Sequence, residues 1–182
     1  MMGATEIFKS LSRGGRDPRA EGFMNRILLG ALAGLAATAP MTLAMKLMHE
    51  QLPREERYPL PPRAVTEGMA EKVGVNQDLG EEERRAATWA SHFAYGAACG
   101  ALYGALTGER ADERPLLAGV GFGVAVWAVS YLGWLPAAGI LSPATEHPAR
   151  RNALMIAAHV VWGATAGAAL AGLSDGEPES GR

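Results

Sequence analysis

Hydrophobic and polar positions along this chain fall into separate blocks. Residues 27–45, 86–108, 115–141 and 152–174 contain no Asp, Glu, Lys or Arg, while charge collects in residues 5–26, 46–85, 109–114 and 146–151 and in the tail from Asp175. A bilayer core about 30 Å thick needs roughly 20 helical residues at about 1.5 Å each. The uncharged runs are 19, 23, 27 and 23 residues long, so each predicts a membrane-crossing helix. The expected fold is all-α, a polytopic four-transmembrane-helix bundle over residues 24–173, with spans at about 25–48, 86–108, 115–139 and 152–173.

The second and fourth runs align without a gap, which predicts two duplicated helical hairpins. Arg84 stands eight residues before His92 and Arg151 eight before His159. Tyr95-Gly96 then matches Trp162-Gly163, and Gly100-Ala101 matches Gly167-Ala168. The first and third runs share an opening, Arg26-Ile27-Leu28-Leu29 against Arg114-Pro115-Leu116-Leu117. Two copies of two spans enter the membrane in the same direction, so their symmetry axis lies along the bilayer normal and His92 and His159 are expected at equal depth. Eight residues is about 12 Å of helix against a half-thickness of about 15 Å, which sets the histidines below the surface rather than at the midplane.

The first copy carries an insertion, and residues 49–84 are expected outside the membrane. Pro59, Pro61 and Pro62 favour extended chain; Ala64 to Lys72 forms a short polar helix ended by Gly74; Asn76 or Asp78 caps the next helix, whose first turn holds Glu81 to Glu83. Residues 1–23 are expected as a flexible basic segment and residues 174–182 as a disordered tail.

Composition alone hides this pattern, because a 20% charged fraction is ordinary for a soluble protein. The first apolar run is too long for a signal-peptide core and ends in MKLMHE, which favours a retained helix. The single cysteine, Cys99, excludes an intramolecular disulfide. A net charge of −2 argues against a nucleic-acid partner and leaves the lipid bilayer and a second copy of the chain as expected partners. Basic residues are balanced between the two sides; the five that precede the first span favour cytoplasmic termini.

Glycines recur every four residues at Gly30 and Gly34, at Gly96, Gly100 and Gly104, and at Gly163 and Gly167. That spacing makes one stripe per helix and predicts close backbone packing. Beside it, Thr88, His92, Tyr95, Cys99 and Tyr103 form a polar-aromatic face on the second span, repeated on the fourth by Asn152, Met155, His159 and Trp162. Ionisable groups in a membrane usually point into the bundle. Three roles fit the histidines: neutral structural partners of a hydroxyl or carbonyl, a pH-responsive pair titrating near 6.5, or ligands to haem b or a transition metal. Met41, Met45 and Met48 with His49 offer a soft set that suits copper(I). The carboxylates Glu67, Glu71, Asp78 and Glu81 to Glu83 read as solvated faces and caps, and the chain carries no GxSxG, Walker loop or dinucleotide fingerprint. No enzyme activity and no resident cofactor are expected, and a transporter or proton channel would need an oligomer.

The segments PLPPR at 59–63, HFAYGAACGALYGAL at 92–106, LLAGVGFGVAV at 116–126 and AAHVVWG at 157–163 resemble the bacterial inner-membrane family of unknown function that includes YagU. The resemblance implies an inner-membrane location and a role in tolerance of acid, and the expected function is that of an envelope- or acid-stress-associated membrane protein; the resemblance supplies no catalytic residues.

Overall fold

The computed structural model describes residues 18–74, 80–107 and 113–175. Helix α1 spans Pro18–His49 and is followed by a 3-10 turn at Arg54–Glu56. Helix α2 spans Pro61–Lys72, α3 Glu81–Leu106 and α4 Pro115–Ala128. A π-helical turn at Val129–Trp134 continues α4 into the one-turn α5 at Leu135–Ala137, and a 3-10 turn at Ala144–Glu146 precedes α6 at Ala149–Asp175.

Several boundaries move from their expected places. Residues 18–23, expected to be flexible, form the first turns of α1; residues 1–17 lie outside the described residues. Ser174 and Asp175 close α6 rather than opening a tail, and 176–182 are likewise outside. Pro61 and Pro62 are the first turn of α2 and not extended chain, because first-turn N–H groups lack helical partners and proline loses nothing there. Gly74 ends that segment with φ +78°, a left-handed conformation that glycine adopts without strain. The N-cap of α3 is Gly80, whose N–H donates to Glu83 Oε2 at 2.7 Å; Asn76 and Asp78 lie outside the described residues. Pro40 lies within α1 without ending it.

Glycine dictates how the helices pair. A methyl group built on Gly30, Gly34 or Gly100 would run into backbone of the facing helix: Gly34 would meet Gly96 and Gly100, and Gly104 would meet Arg26 and Gly30. Gly96 instead faces the Thr38 hydroxyl. Helices α1 and α3 are thus laced backbone to backbone over three levels. The second hairpin repeats the device, with Gly119 and Gly123 of α4 against His159, Gly163 and Gly167 of α6. Gly30, Gly34, Gly96, Gly100, Gly104, Gly163 and Gly167 all lie at these contacts, and so do Gly119 and Gly123.

The hairpins join where α1 packs on α6. Ala33 and Ala37 are buried there beside Ala158, Ala166 and Leu170. Trp162 reaches across, its Nε1–H donating to the Gly34 carbonyl at 3.1 Å. The helices therefore lie in the order α3, α1, α6, α4, and α3 meets the α4 side through side chains: the Tyr95 hydroxyl with Ser130 at 2.9 Å, and the Tyr103 and Phe122 rings 5.1 Å apart.

Small residues fill the seams, while Leu28, Leu32, Leu43, Leu116, Leu117 and Leu132 stand more than half exposed. Such a surface suits lipid, where association relies on close backbone packing rather than on burial of large apolar groups. Three helices are long and apolar enough to cross a membrane: Arg19–His49, Pro115–Ala137 and Ala149–Asp175. The first, third and fourth expected spans correspond to them. Helix α3 is not among the three, its apolar length being diluted by Thr88, Ser91, His92 and two tyrosines.

Candidate functional site

Where α3 and the α4 side stand apart, a cavity of about 410 Å³ opens. Its walls come from five elements. Helix α1 gives Thr38, Met41 and Met45; α3 gives Ser91, His92, Tyr95, Gly96 and Cys99; α6 gives Met155, His159 and Trp162. The π turn and its flanks supply Val126, Ser130, Tyr131, Trp134 and Leu135. Its wider coil turns both Ser130 and Tyr131 inward, and both are buried. Helix α2 lies across the mouth with Pro61, Pro62, Val65, Thr66 and Met69. No Asp, Glu, Lys or Arg lines the cavity among the described residues.

Of the polar face expected from sequence, His92, Tyr95, Cys99, His159 and Trp162 come together at this cavity. Tyr103 and Asn152 do not. Tyr103 is buried against Phe122, which in turn packs toward Trp162 with ring centroids 6.3 Å apart. Asn152 sits at the start of α6, where Nδ2 donates to the Ala144 carbonyl at 2.6 Å and holds the 3-10 turn. Met41 and Met45 line the cavity; Met48 packs against the core and His49 donates from Nε2 to the Tyr58 carbonyl at 3.2 Å. Among the described residues no three His, Cys, Asp or Glu side chains converge as a metal site.

Neighbouring hydrogen bonds fix the tautomers of both histidines. The Thr42 hydroxyl donates its proton to the Thr38 carbonyl at 2.7 Å, so its 3.1 Å contact with His92 Nε2 requires that nitrogen to be the donor. His159 Nδ1 lies 2.7 Å from the Met155 carbonyl, which can only accept, so the proton sits on Nδ1. In the neutral rings, His92 Nδ1 and His159 Nε2 keep their lone pairs. The Tyr131 ring stands edge-on to His159, centroids 6.0 Å apart.

A second polar cluster fixes the chain that leads to α2. Arg151, almost fully buried, donates to the carbonyls of Tyr58 at 3.2 Å and Pro59 at 2.7 Å, and its guanidinium lies 3.5 Å over the Tyr58 ring. The Tyr58 hydroxyl bonds His147 Nδ1 at 2.9 Å. Outward from this strap, Arg63 pairs with Glu67 at 2.8 Å and Glu81 at 2.9 Å, tying α2 to the first turn of α3. The hydrogen bond from Arg63 holds the Glu81 carboxyl below the usual glutamate value, and the two carboxylates raise Arg63. The arginine that the sequence repeat marks in the second copy thus anchors the insertion of the first, a relation that nothing in the local sequence signals.

These features define a helical protein with three helices able to cross a membrane and an uncharged cavity between two glycine-laced hairpins. The chain belongs to a family of unknown function, DUF6789, whose model matches residues 24–180. That match carries no link to the family that includes YagU. No curated protein and no solved structure matches the chain.

Proposed function

We propose that this chain is a four-span protein of the bacterial inner membrane that binds a small, neutral, apolar molecule between its hairpins, and that it is not an enzyme. The observation that carries this reading is the cavity itself: about 410 Å³, mostly apolar and aromatic walls, a few hydroxyls and two imidazoles, and no charged side chain among the described residues. Ligand sites of small molecules have this size and this mixture of many apolar and few polar groups. The fourth span is supported by the ladder from Gly30–Gly104 to Thr38–Gly96, since a helix that touches α1 at successive levels shares its depth. A binding role is favoured over catalysis because, among the described residues, no carboxylate lines the cavity to back either histidine as a general base.

The histidine pair gives the binding a pH response, consistent with a role in acid or envelope stress. Protonation of either ring places a charge among apolar walls without a countercharge, so retention of a neutral ligand falls on acidification. The test is quenching of tryptophan fluorescence by a brominated hydrocarbon in detergent, since Trp134 and Trp162 line the cavity. Quenching is expected in the parent and lost in Cys99→Phe, which fills the space. Equal quenching in parent and Cys99→Phe would sink the reading.

A further inference from the structure

Of the two histidine rings at the cavity, His159 is the more constrained. It is 6% exposed, and its Nδ1–H is committed to the Met155 carbonyl at 2.7 Å. Its far nitrogen, Nε2, makes no hydrogen bond with any described residue. His159 lines the cavity; an acceptor that a ligand cuts off from water costs about 1–3 kcal/mol unless the ligand meets it, so an occupant gains by donating to it.

We propose that the cavity takes a phenol-class ligand, a neutral aromatic alcohol whose hydroxyl donates to His159 Nε2. The inference rests on the reading of the cavity as a ligand site and adds the chemistry of the occupant. Three features select it. The polar contact is an acceptor, which excludes ethers and ketones as the group held there. Among the described residues no Lys or Arg lines the walls to neutralise a carboxylate or phosphate, and no Asp or Glu to hold an ammonium. Several of the other polar groups at the walls are engaged: Thr38 Oγ1 donates to the Gly34 carbonyl at 2.8 Å, Tyr95 pairs with Ser130 at 2.9 Å and Thr66 with Ser91 at 2.6 Å, while the Tyr131 hydroxyl and the less buried His92 also line the cavity.

Aromatic character follows from the walls. The Tyr131 ring meets His159 edge-on, and the indoles of Trp134 and Trp162 line the same space, so a flat ring finds both faces and edges to pack against. The volume of about 410 Å³ holds one ring with a short alkyl tail.

The experiment compares 4-heptylphenol with its methyl ether, 4-heptylanisole, by isothermal titration against the full chain in detergent at pH 8, with partition into empty micelles subtracted. The pair shares shape and apolar area and differs in the donor. The phenol is expected to bind the parent about tenfold more tightly, the value of one buried hydrogen bond near 1.4 kcal/mol. In His159→Phe, which keeps a ring beside Tyr131, the preference is expected to fall to within twofold. The parent comparison stands alone if that variant does not fold. Equal affinity in the parent overturns the phenol assignment while leaving an apolar site; a preference that survives in His159→Phe overturns the role of Nε2. Binding of neither compound overturns both the assignment and the cavity reading beneath it.

Discussion

Replacing Gly100 by alanine puts the packing of the first hairpin to a direct test. The added methyl carbon would lie 2.7 Å from Gly34 Cα and 2.8 Å from Gly34 N, and would also run into the Gly30 carbonyl. Ordinary contacts between carbon atoms fall at about 3.5–4.0 Å, so α1 and α3 must part by roughly 1 Å at the middle of the ladder. All of the obstructing atoms are backbone, and none can swing aside. A gap of that size removes about a quarter to a half of the dispersion energy from flanking contacts, in line with the ~1–3 kcal/mol cost of overpacking. Alanine is worth about 1 kcal/mol more than glycine in a helix interior, which works against the loss. A net destabilisation of about 1–2 kcal/mol is expected. Gly121→Ala supplies the reference, because nothing lies within 4 Å of a methyl group there and the propensity gain acts alone. Gly163→Ala, whose methyl would meet Gly119 C at 2.8 Å and Gly123 Cα at 3.1 Å, should behave like Gly100→Ala if the hairpins are repeats. Unfolding in mixed micelles by titration with a denaturing detergent, followed by circular dichroism, measures all three. Stabilities of Gly100→Ala and Gly121→Ala within 0.5 kcal/mol of each other would refute the reasoning.

Further outcomes follow from side chains that cross between elements. Arg151→Gln removes a cation that bonds two carbonyls and stacks on Tyr58, so the segment 57–62 is expected to become a site of limited proteolysis, with stability falling by about 2 kcal/mol. Trp162→Phe deletes the donor to the Gly34 carbonyl, which keeps the Thr38 hydroxyl; a loss near 1 kcal/mol in the same detergent titration is expected. For Arg63–Glu81 the sign follows from the lowered glutamate. Its contribution is complete above the ordinary value of 4.5 and disappears as pH falls through the lower folded value. Hydrogen exchange of α2 amides should therefore quicken below pH 4.5 in the parent and be insensitive to that step in Glu81→Gln; identical profiles would remove the link.

The elements that repeat were the ones legible in the sequence. Charge-free runs of helical length located α1, the α4 side and α6, and four-residue glycine spacing named most of the ladder. Gly119 and Gly123 have the same spacing but were masked by Gly121 between them, which points away from the seam. The histidine faces were legible as a pattern, and the structure gathers His92 and His159 at one cavity. Their partners were not, because Thr42 lies 50 residues from His92 on another helix. The same holds for Arg151 and the strap at Tyr58 and Pro59, 93 and 92 residues apart. The π turn leaves no periodic trace, since a single widened coil within an apolar helix alters which residues face inward without altering composition. Tyr103 and Asn152 show the limit of a helical wheel: both share an angle with cavity residues but not their height along the helix.

The lacing of each hairpin by glycine also determines where the molecule can yield. Backbone held against backbone has no rotamers with which to absorb a displacement, so each hairpin shifts as a block. Across the α3–α4 side the bridging atoms are hydroxyls and rings, Tyr95 with Ser130 and Tyr103 with Phe122, and these can pivot on single bonds. Compliance is therefore concentrated on one flank, and the α1–α6 contact serves as its axle. A small rotation about that axle widens or narrows the space beside His92 and His159 while leaving both glycine ladders intact.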